Sequence, residues 1–299
     1  MVKRSIHISE FLDYLKNEKN YSQNTISAYK SDLSNLDKFI ENYSGKLSWI
    51  NMDNSPIKFY LSELGEKNIS PKTLSRNIAT IKSFFKYLVE QEILDKNITK
   101  GILFPKLPKK LPAFLTETEI DKLMETPKFH SKNSTKDRLI LELLYSTGMR
   151  ISELVAIKMD EIKLEEGLIK VLGKGNVERQ VIIGSKAKEQ LKKYLRHRSN
   201  IESKFLFPCE RKNSKTGHIS IRKVYKDVKK LLFLATGNDA LSPHSIRHST
   251  ATHLLENGTD LMSVKEIMGH SSLNSTQIYT HVQKDLMSKI YKQAHPEGN

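Results

Sequence analysis

Two stretches govern the reading of this chain: Ser146-Thr147-Gly148-Met149-Arg150-Ile151-Ser152-Glu153-Leu154 and Ser242-Pro243-His244-Ser245-Ile246-Arg247-His248. The first follows an apolar run, Leu139 to Tyr145, that reads as a helix closed near Gly148. Arg150 then stands beside Ile151 and Leu154, both expected to be buried. A guanidinium among apolar side chains needs a partner, because an unpaired buried charge is costly. Glu153 is the candidate partner, and for Arg150 taken alone a structural salt bridge is the better reading. The second stretch opens a helix, with Ser242 as cap and Pro243 in the first turn. Spacings of three and four place His244, Arg247 and His248 near one face of that turn. The dipole there is positive and backbone N–H groups are free. Cationic groups gathered at such an end repel one another unless an anion sits among them. His244 and His248 also have the i, i+4 spacing of zinc ligands. The zinc-protease pattern, however, needs glutamate directly after the first histidine, where this chain has Ser245. Arg247 beside a metal cation would also be unfavourable, so phosphate ranks above zinc and no metal is expected.

A third segment, Met268-Gly269-His270, is followed nine residues after the histidine by Tyr279. A tyrosine in an amphipathic helix is ordinarily a core residue, and a phenol of pKa about 10 is a poor nucleophile. Cationic neighbours would lower that pKa and orient the oxygen.

Around these segments the chain is basic. Its 299 residues carry 49 Lys plus Arg against 34 Asp plus Glu, a net charge of +15. The surplus points to a polyanionic partner, since each phosphate neutralised releases a counterion. A merely soluble basic protein, or one held on an anionic membrane surface, is the competing reading. No apolar run is long enough to span a membrane, and the first residues lack the apolar stretch of a signal peptide. Cys209, the single cysteine, cannot form an internal disulfide, and it reads as structural or incidental. The expected location is cytoplasmic.

The clearest boundary is Pro105-Lys106-Leu107-Pro108-Lys109-Lys110-Leu111-Pro112, whose prolines cannot continue a helix and whose lysines could lie along phosphates. Both sides of it are basic, so both could touch the same polyanion. The N-terminal part reads as a helical bundle. Its stripes run through Phe11, Leu12 and Leu15; through Ile26 to Ile40 behind a Ser22 cap; through Ile57 to Leu64 behind Pro56; and through Leu74, Ile78, Ile81, Phe84, Phe85 and Leu88 behind Ser70-Pro71. The C-terminal part mixes types. Thr116 to Glu119 is a capping box. Leu168–Leu172 and Glu178–Ile183 read as strands joined by a turn at Gly173-Lys174-Gly175-Asn176-Val177. Further helices are expected over 186–198, 221–235, 243–256 and 276–291, with Gly258 and Gly269 as stops. The predicted architecture is mainly α with a small β-sheet.

Arg150, the pattern His244-x-x-Arg247, Gly269-His270 and Tyr279 together resemble the conserved set of the tyrosine recombinases, the phage integrase family. The likeness spans essentially the whole chain. Thr147 to Leu154 resembles the family's first arginine box, Gly173-Lys174-Gly175-Asn176 its β-hairpin lysine turn, and Ser242 to Leu255 its second box. Within the family the chain looks most like the Xer recombinases of bacterial chromosomes, in length, short N-terminus, proline-lysine linker and the His295-Pro296 tail. Two positions depart from the pattern: Met268 replaces the usual leucine, and Val177 a common polar residue.

The resemblance implies a SAM-like helical core-binding domain over 1–107, a linker over 108–115 and an α+β catalytic domain over 116–299 that ends in a docking helix. It implies a clamp around duplex DNA, with four protomers on two sites, and leaves open a second related recombinase and a DNA translocase as partners. It implies that Tyr279 attacks the scissile phosphate and forms a 3′-phosphotyrosyl link, with no metal, ATP or other cofactor. Arg150 and Arg247 would clamp the phosphate, Lys174 would protonate the leaving oxygen, His244 would act on the Tyr279 proton and His270 would orient the site. His248, His253 and His281 keep a structural reading. The expected biology is resolution of chromosome dimers. A phage or mobile-element integrase, a type IB topoisomerase and a non-catalytic DNA-binding protein are the alternatives.

Overall fold

The computed structural model describes residues 4–105, 113–173, 177–198, 202–209 and 216–269. The expected linker lysines, the turn residue Lys174, His270, Tyr279, His281 and the helix expected over 276–291 lie outside these. The chain divides into two compact units, Met1–Lys110 and Leu111–Asn299.

The first unit is built from four helices: α1 (Arg4–Asn17), α2 (Gln23–Tyr43), α3 (Ser55–Glu66) and α4 (Pro71–Glu90). Ser22 and Ser70 cap α2 and α4 through their side chains, accepting from the N–H of Thr25 and Thr73. Helix α4 packs on the other three, because its buried stripe of Ile78, Ile81, Phe84, Phe85 and Leu88 is wide enough to face all of them. Trp49, in the α2–α3 connection, fills the centre. Its ring meets Phe84 and Phe85 edge-on, and its indole N–H donates to the Arg4 carbonyl at 3.1 Å. Each of these side chains contributes about 1.5–3 kcal/mol by leaving water.

The second unit begins with α5 (Glu117–His130), whose capping box closes as the sequence predicts: the Glu119 amide donates to Thr116 Oγ1 and the Thr116 amide to Glu119. Helix α6 (Ser134–Thr147) is the axis of the unit. All nine residues from Leu139 to Thr147 are buried, and α5, α8 (Ser185–His197) and α10 (Pro243–Glu256) pack on it. A helix apolar all round belongs inside. Its one carboxylate there, Glu142, takes a hydrogen bond from Arg138 at 2.7 Å. Helix α9 (Ile221–Thr236) covers α5.

The sheet has three antiparallel strands in the order β1-β2-β3: β1 (Ile162–Lys163), β2 (Leu168–Leu172) and β3 (Glu178–Ile182). The β2–β3 register pairs Val171 with Arg179 and Ile169 with Val181. Arg179 therefore shares the core face with three aliphatic side chains. Gly173 N–H donates to the Val177 carbonyl at 2.7 Å and closes the hairpin base.

Four described elements are additions to the sequence reading: β1, the six-residue α7 (Ile151–Ala156), a single 3-10 turn over Met159–Glu161 and the eight-residue α11 (Leu261–Met268). Helix α11 is capped by Asp260, which accepts from the Met262 and Ser263 amides. It packs on α10 through Leu254, Val264 and Met268. No helix among the described residues is long and apolar enough to cross a membrane.

Candidate active site

Helix α6 stops because Gly148 adopts a left-handed conformation, φ 58°. Glycine suits this turn, since a side chain is strained at this φ and a Cβ would push aside the thioether of Met268. The chain reverses through buried Met149 and presents Arg150 as the extended residue ahead of α7. The Arg150 amide donates to Glu153 Oε2 at 2.9 Å, and its Nη1 donates to Glu153 Oε1 at 2.8 Å. The salt bridge read for Arg150 is therefore present. It does not exhaust the residue, because Arg150 retains 31% side-chain exposure while Glu153 has 2%. One end of the guanidinium is anchored and the rest is open.

Arg247 lies in the second turn of α10 and is buried. Its Nη1 donates to the Gly148 carbonyl and its Nη2 to the Met268 carbonyl at 2.6 Å. Both acceptors sit where helices end on left-handed glycines, Gly148 after α6 and Gly269 (φ 62°) after α11. Such termini leave carbonyls unsatisfied within the helix. Arg247 thus ties three helices together, and Met268, one of the two departures from the family pattern, supplies both a carbonyl and the thioether over Gly148.

The sequence reading did not single out Arg179. From β3 it donates through Nη2 to Glu153 Oε2 at 2.9 Å and through Nη1 to the Ile267 carbonyl at 2.9 Å. Its side chain also occupies the space that a Cβ on Gly269 would need, 2.6 Å from Nε. The clue was strand alternation, which puts residue 179 on the face of Val181. A long polar side chain at a core-facing position has to find partners there.

Three guanidinium groups thus surround one buried carboxylate. Burial pushes the Arg247 guanidinium down to about 10, and the charge of Arg150 adds to the effect. Burial acts to raise the Glu153 carboxyl, but Arg179 and Arg150 outweigh it and hold the group below its ordinary value of 4.5. A carboxyl with a depressed pKa stabilises the fold above its unfolded value, and that contribution is lost as pH falls through the folded value. Glu153→Gln is expected to lower the melting temperature at pH 7 and to flatten its decline below about pH 4.5. Melting curves across pH 3–8 check this; parallel declines in both proteins would refute it.

His244 and His248 are exposed on α10, near the start of the helix that also carries Arg247. The ring of His248 meets Phe114 edge-on at 6.3 Å. His253 is buried, with Nδ1 3.0 Å from the Tyr145 hydroxyl, which fits its structural reading. The structure therefore brings Arg150 and Arg247 together and places His244 on the same helix as Arg247.

The phage integrase family model matches residues 113–285, and the family's N-terminal SAM-like domain model matches residues 8–92. The chain belongs to the phage integrase family. Its similarity to named members extends along its length. It is 40% identical to the tyrosine recombinase XerD of Staphylococcus saprophyticus, over 97% of this chain and 99% of that protein. It is 36% identical to the tyrosine recombinase XerC of Oceanobacillus iheyensis, over 100% and 99%. Among solved structures, the XerH site-specific recombinase bound to difH substrate in a pre-cleavage complex is 25% identical, with a TM-score of 0.66 over 94% of this chain and 84% of that one. Phage integrase family members of this kind are DNA strand-exchange enzymes, and this chain is a site-specific tyrosine recombinase. The predicted fold, helical with a small sheet and a SAM-like N-terminal domain, holds.

Proposed function

We propose that this recombinase cuts and rejoins duplex DNA through a covalent bond to Tyr279 and resolves chromosome dimers at a dif-like site. The observation that carries the phosphate reading is the gathering of Arg150, Arg179 and Arg247 about the single carboxylate of Glu153. The cluster holds more positive than negative charge, and an entering phosphate relieves the repulsion. In this reading Arg150 and Arg247 stabilise the non-bridging oxygens of the phosphorane, with planar guanidinium forks suited to phosphate. Preorganised donors of that kind commonly supply the largest catalytic term.

Tyr279 attacks the phosphorus, the 5′-hydroxyl leaves, and a 3′-phosphotyrosyl bond replaces the phosphodiester. Lys174 gives a proton to the leaving oxygen. His244, exposed on α10, takes or holds the Tyr279 proton, and His270 donates to a phosphate oxygen. The bond energy is conserved in the ester, so a 5′-hydroxyl from another strand can reverse the step without ATP. The charge that a metal ion neutralises in kinases falls here to arginines.

The domain limits 1–107 and 116–299, joined by 108–115, assign the first unit to gripping DNA and the second to chemistry. Phosphate contacts supply most of the affinity. Four protomers assemble on two sites through the C-terminal docking helix, with a second related recombinase and a DNA translocase as candidate partners in the cytoplasm. The similarity to both XerC and XerD proteins supports this assignment, as does a relative solved on difH DNA.

Trapping tests it. Cells expressing the protein are lysed in denaturant, and DNA covalently attached to the chain is recovered and sequenced. One short site near the replication terminus is expected. Recovery at the ends of a mobile element would make the enzyme an integrase. Scattered recovery would make it a topoisomerase, and no adduct would make it a DNA-binding protein without catalysis.

A further inference from the structure

The two oxygens of Glu153 are held by two arginines, Oε1 by the Arg150 side chain and Oε2 jointly by the Arg150 amide at 2.9 Å and the Arg179 side chain. Arg150 Nη1 takes Oε1 at 2.8 Å, and Arg179 Nη2 takes Oε2 at 2.9 Å. Among the described residues, the Arg150 side chain has that one hydrogen bond. A carboxylate and a guanidinium left alone close into a two-bond fork, which is the stronger pairing. In such a fork Arg150 would turn the donors that a phosphate needs onto Glu153. Arg179 stands in the way by sharing the second oxygen with the Arg150 amide, which leaves it no room for a second guanidinium nitrogen.

Arg179 is itself held in place. It issues from β3 beside Val171, and its second nitrogen binds the Ile267 carbonyl in the last turn of α11. Its stem and Nε fill the space over Gly269, and Nε is buried with no hydrogen-bond partner among the described residues. An arginine kept in place with an unsatisfied N–H is tightly constrained by its surroundings, since such a group is costly to bury. The side chain is 13% exposed, so it joins β3, α7 and α11 from within and presents little surface to DNA.

We infer that Arg179 is a positioning residue for strand cleavage: by holding Glu153 Oε2 and the end of α11, it keeps the Arg150 guanidinium singly bonded and free to receive the scissile phosphate. This rests on the proposal that Arg150 contacts that phosphate, and the test separates the two. The substrate is a nicked suicide duplex carrying the site recovered by trapping, made with either a normal or a methylphosphonate scissile linkage. The methylphosphonate lacks one negative charge and asks less of the arginine clamp.

For Arg179→Ala, single-turnover formation of the covalent adduct is expected to fall about tenfold to a hundredfold, the usual effect of misplacing a reacting group. DNA affinity should stay at the wild-type value, and the rate defect should shrink on the methylphosphonate. Arg179→Lys, which can hold either Glu153 or the Ile267 carbonyl, should recover part of the rate. Should Arg179→Ala not fold, the Lys variant and Arg179→Gln carry the same comparison. Cleavage at the wild-type rate overturns the inference. A defect of equal size on both linkages, or one matched by loss of DNA affinity, also overturns it by making Arg179 structural only. If Arg150→Ala itself cuts the normal linkage at the wild-type rate, the phosphate role of Arg150 fails and this inference with it. An Arg150→Ala defect beside an unaffected Arg179→Ala refutes the inference alone.

Discussion

Tyr279→Phe is expected to form no covalent adduct on a suicide duplex while binding that duplex as the wild type does. The substitution removes one oxygen and no formal charge. With a pKa of about 10, roughly one tyrosine in a thousand is ionised at pH 7. The hydroxyl is therefore chemically quiet unless cations gather near the phosphate it is proposed to attack. Arg150, Arg179 and Arg247 supply such a concentration of charge in the second unit. Denaturing gel electrophoresis reads the adduct and a native gel shift reads the affinity. An adduct that survives in the Phe variant would mean that another residue is the nucleophile. An unchanged phenotype with no adduct in either protein would mean that the chain binds DNA without cutting it.

Arg247→Lys is expected to lower the cleavage rate about 10²–10³-fold, the usual result of removing one oxyanion donor. It should also lower the melting temperature. Lysine keeps the charge but lacks the planar fork, so it cannot serve the Gly148 and Met268 carbonyls together as Arg247 does. Leaving one buried carbonyl without a donor costs about 1–3 kcal/mol. A domain of this size shifts by about 2–4 °C per kcal/mol. Rate and melting temperature should therefore fall together at this position. At Tyr279 the rate should vanish with DNA affinity intact. A Lys variant that keeps full stability would show that the bridge between helix ends carries little weight.

Much of the framework was legible because it is written locally. Ser22, Ser70 and the Thr116–Glu119 box cap the helices at the positions their side chains announce. The stripe from Ile78 to Leu88 is buried as its spacing requires. Elements below the reach of periodicity escaped. Helix α7 has six residues and α11 has eight, too few turns for a pattern to emerge from chance. Strand β1 is a two-residue pairing fixed by its neighbour. At the site, Arg150 stood out because an arginine beside apolar residues needs a partner, and Arg247 because cationic groups gather with it at a helix start. The salt bridge of Arg150 to Glu153, three residues on, was within reach of the sequence, whereas the carbonyl partners of Arg247 lie 99 and 21 positions away. Arg179 was hidden for the same reason, since its partners Glu153 and Ile267 are 26 and 88 positions away.

The double employment of Arg247 bears on how descendants of such an enzyme age. A lineage that stops exchanging strands still has to fold, and folding alone will keep selecting an arginine that closes the ends of α6 and α11. His244 projects into solvent and enjoys no such protection, so it should drift soon after activity lapses. In a gene survey, an intact Arg247 equivalent therefore says that the scaffold survives. With His244 in its proposed role, an intact equivalent of that residue says that the chemistry is still under selection.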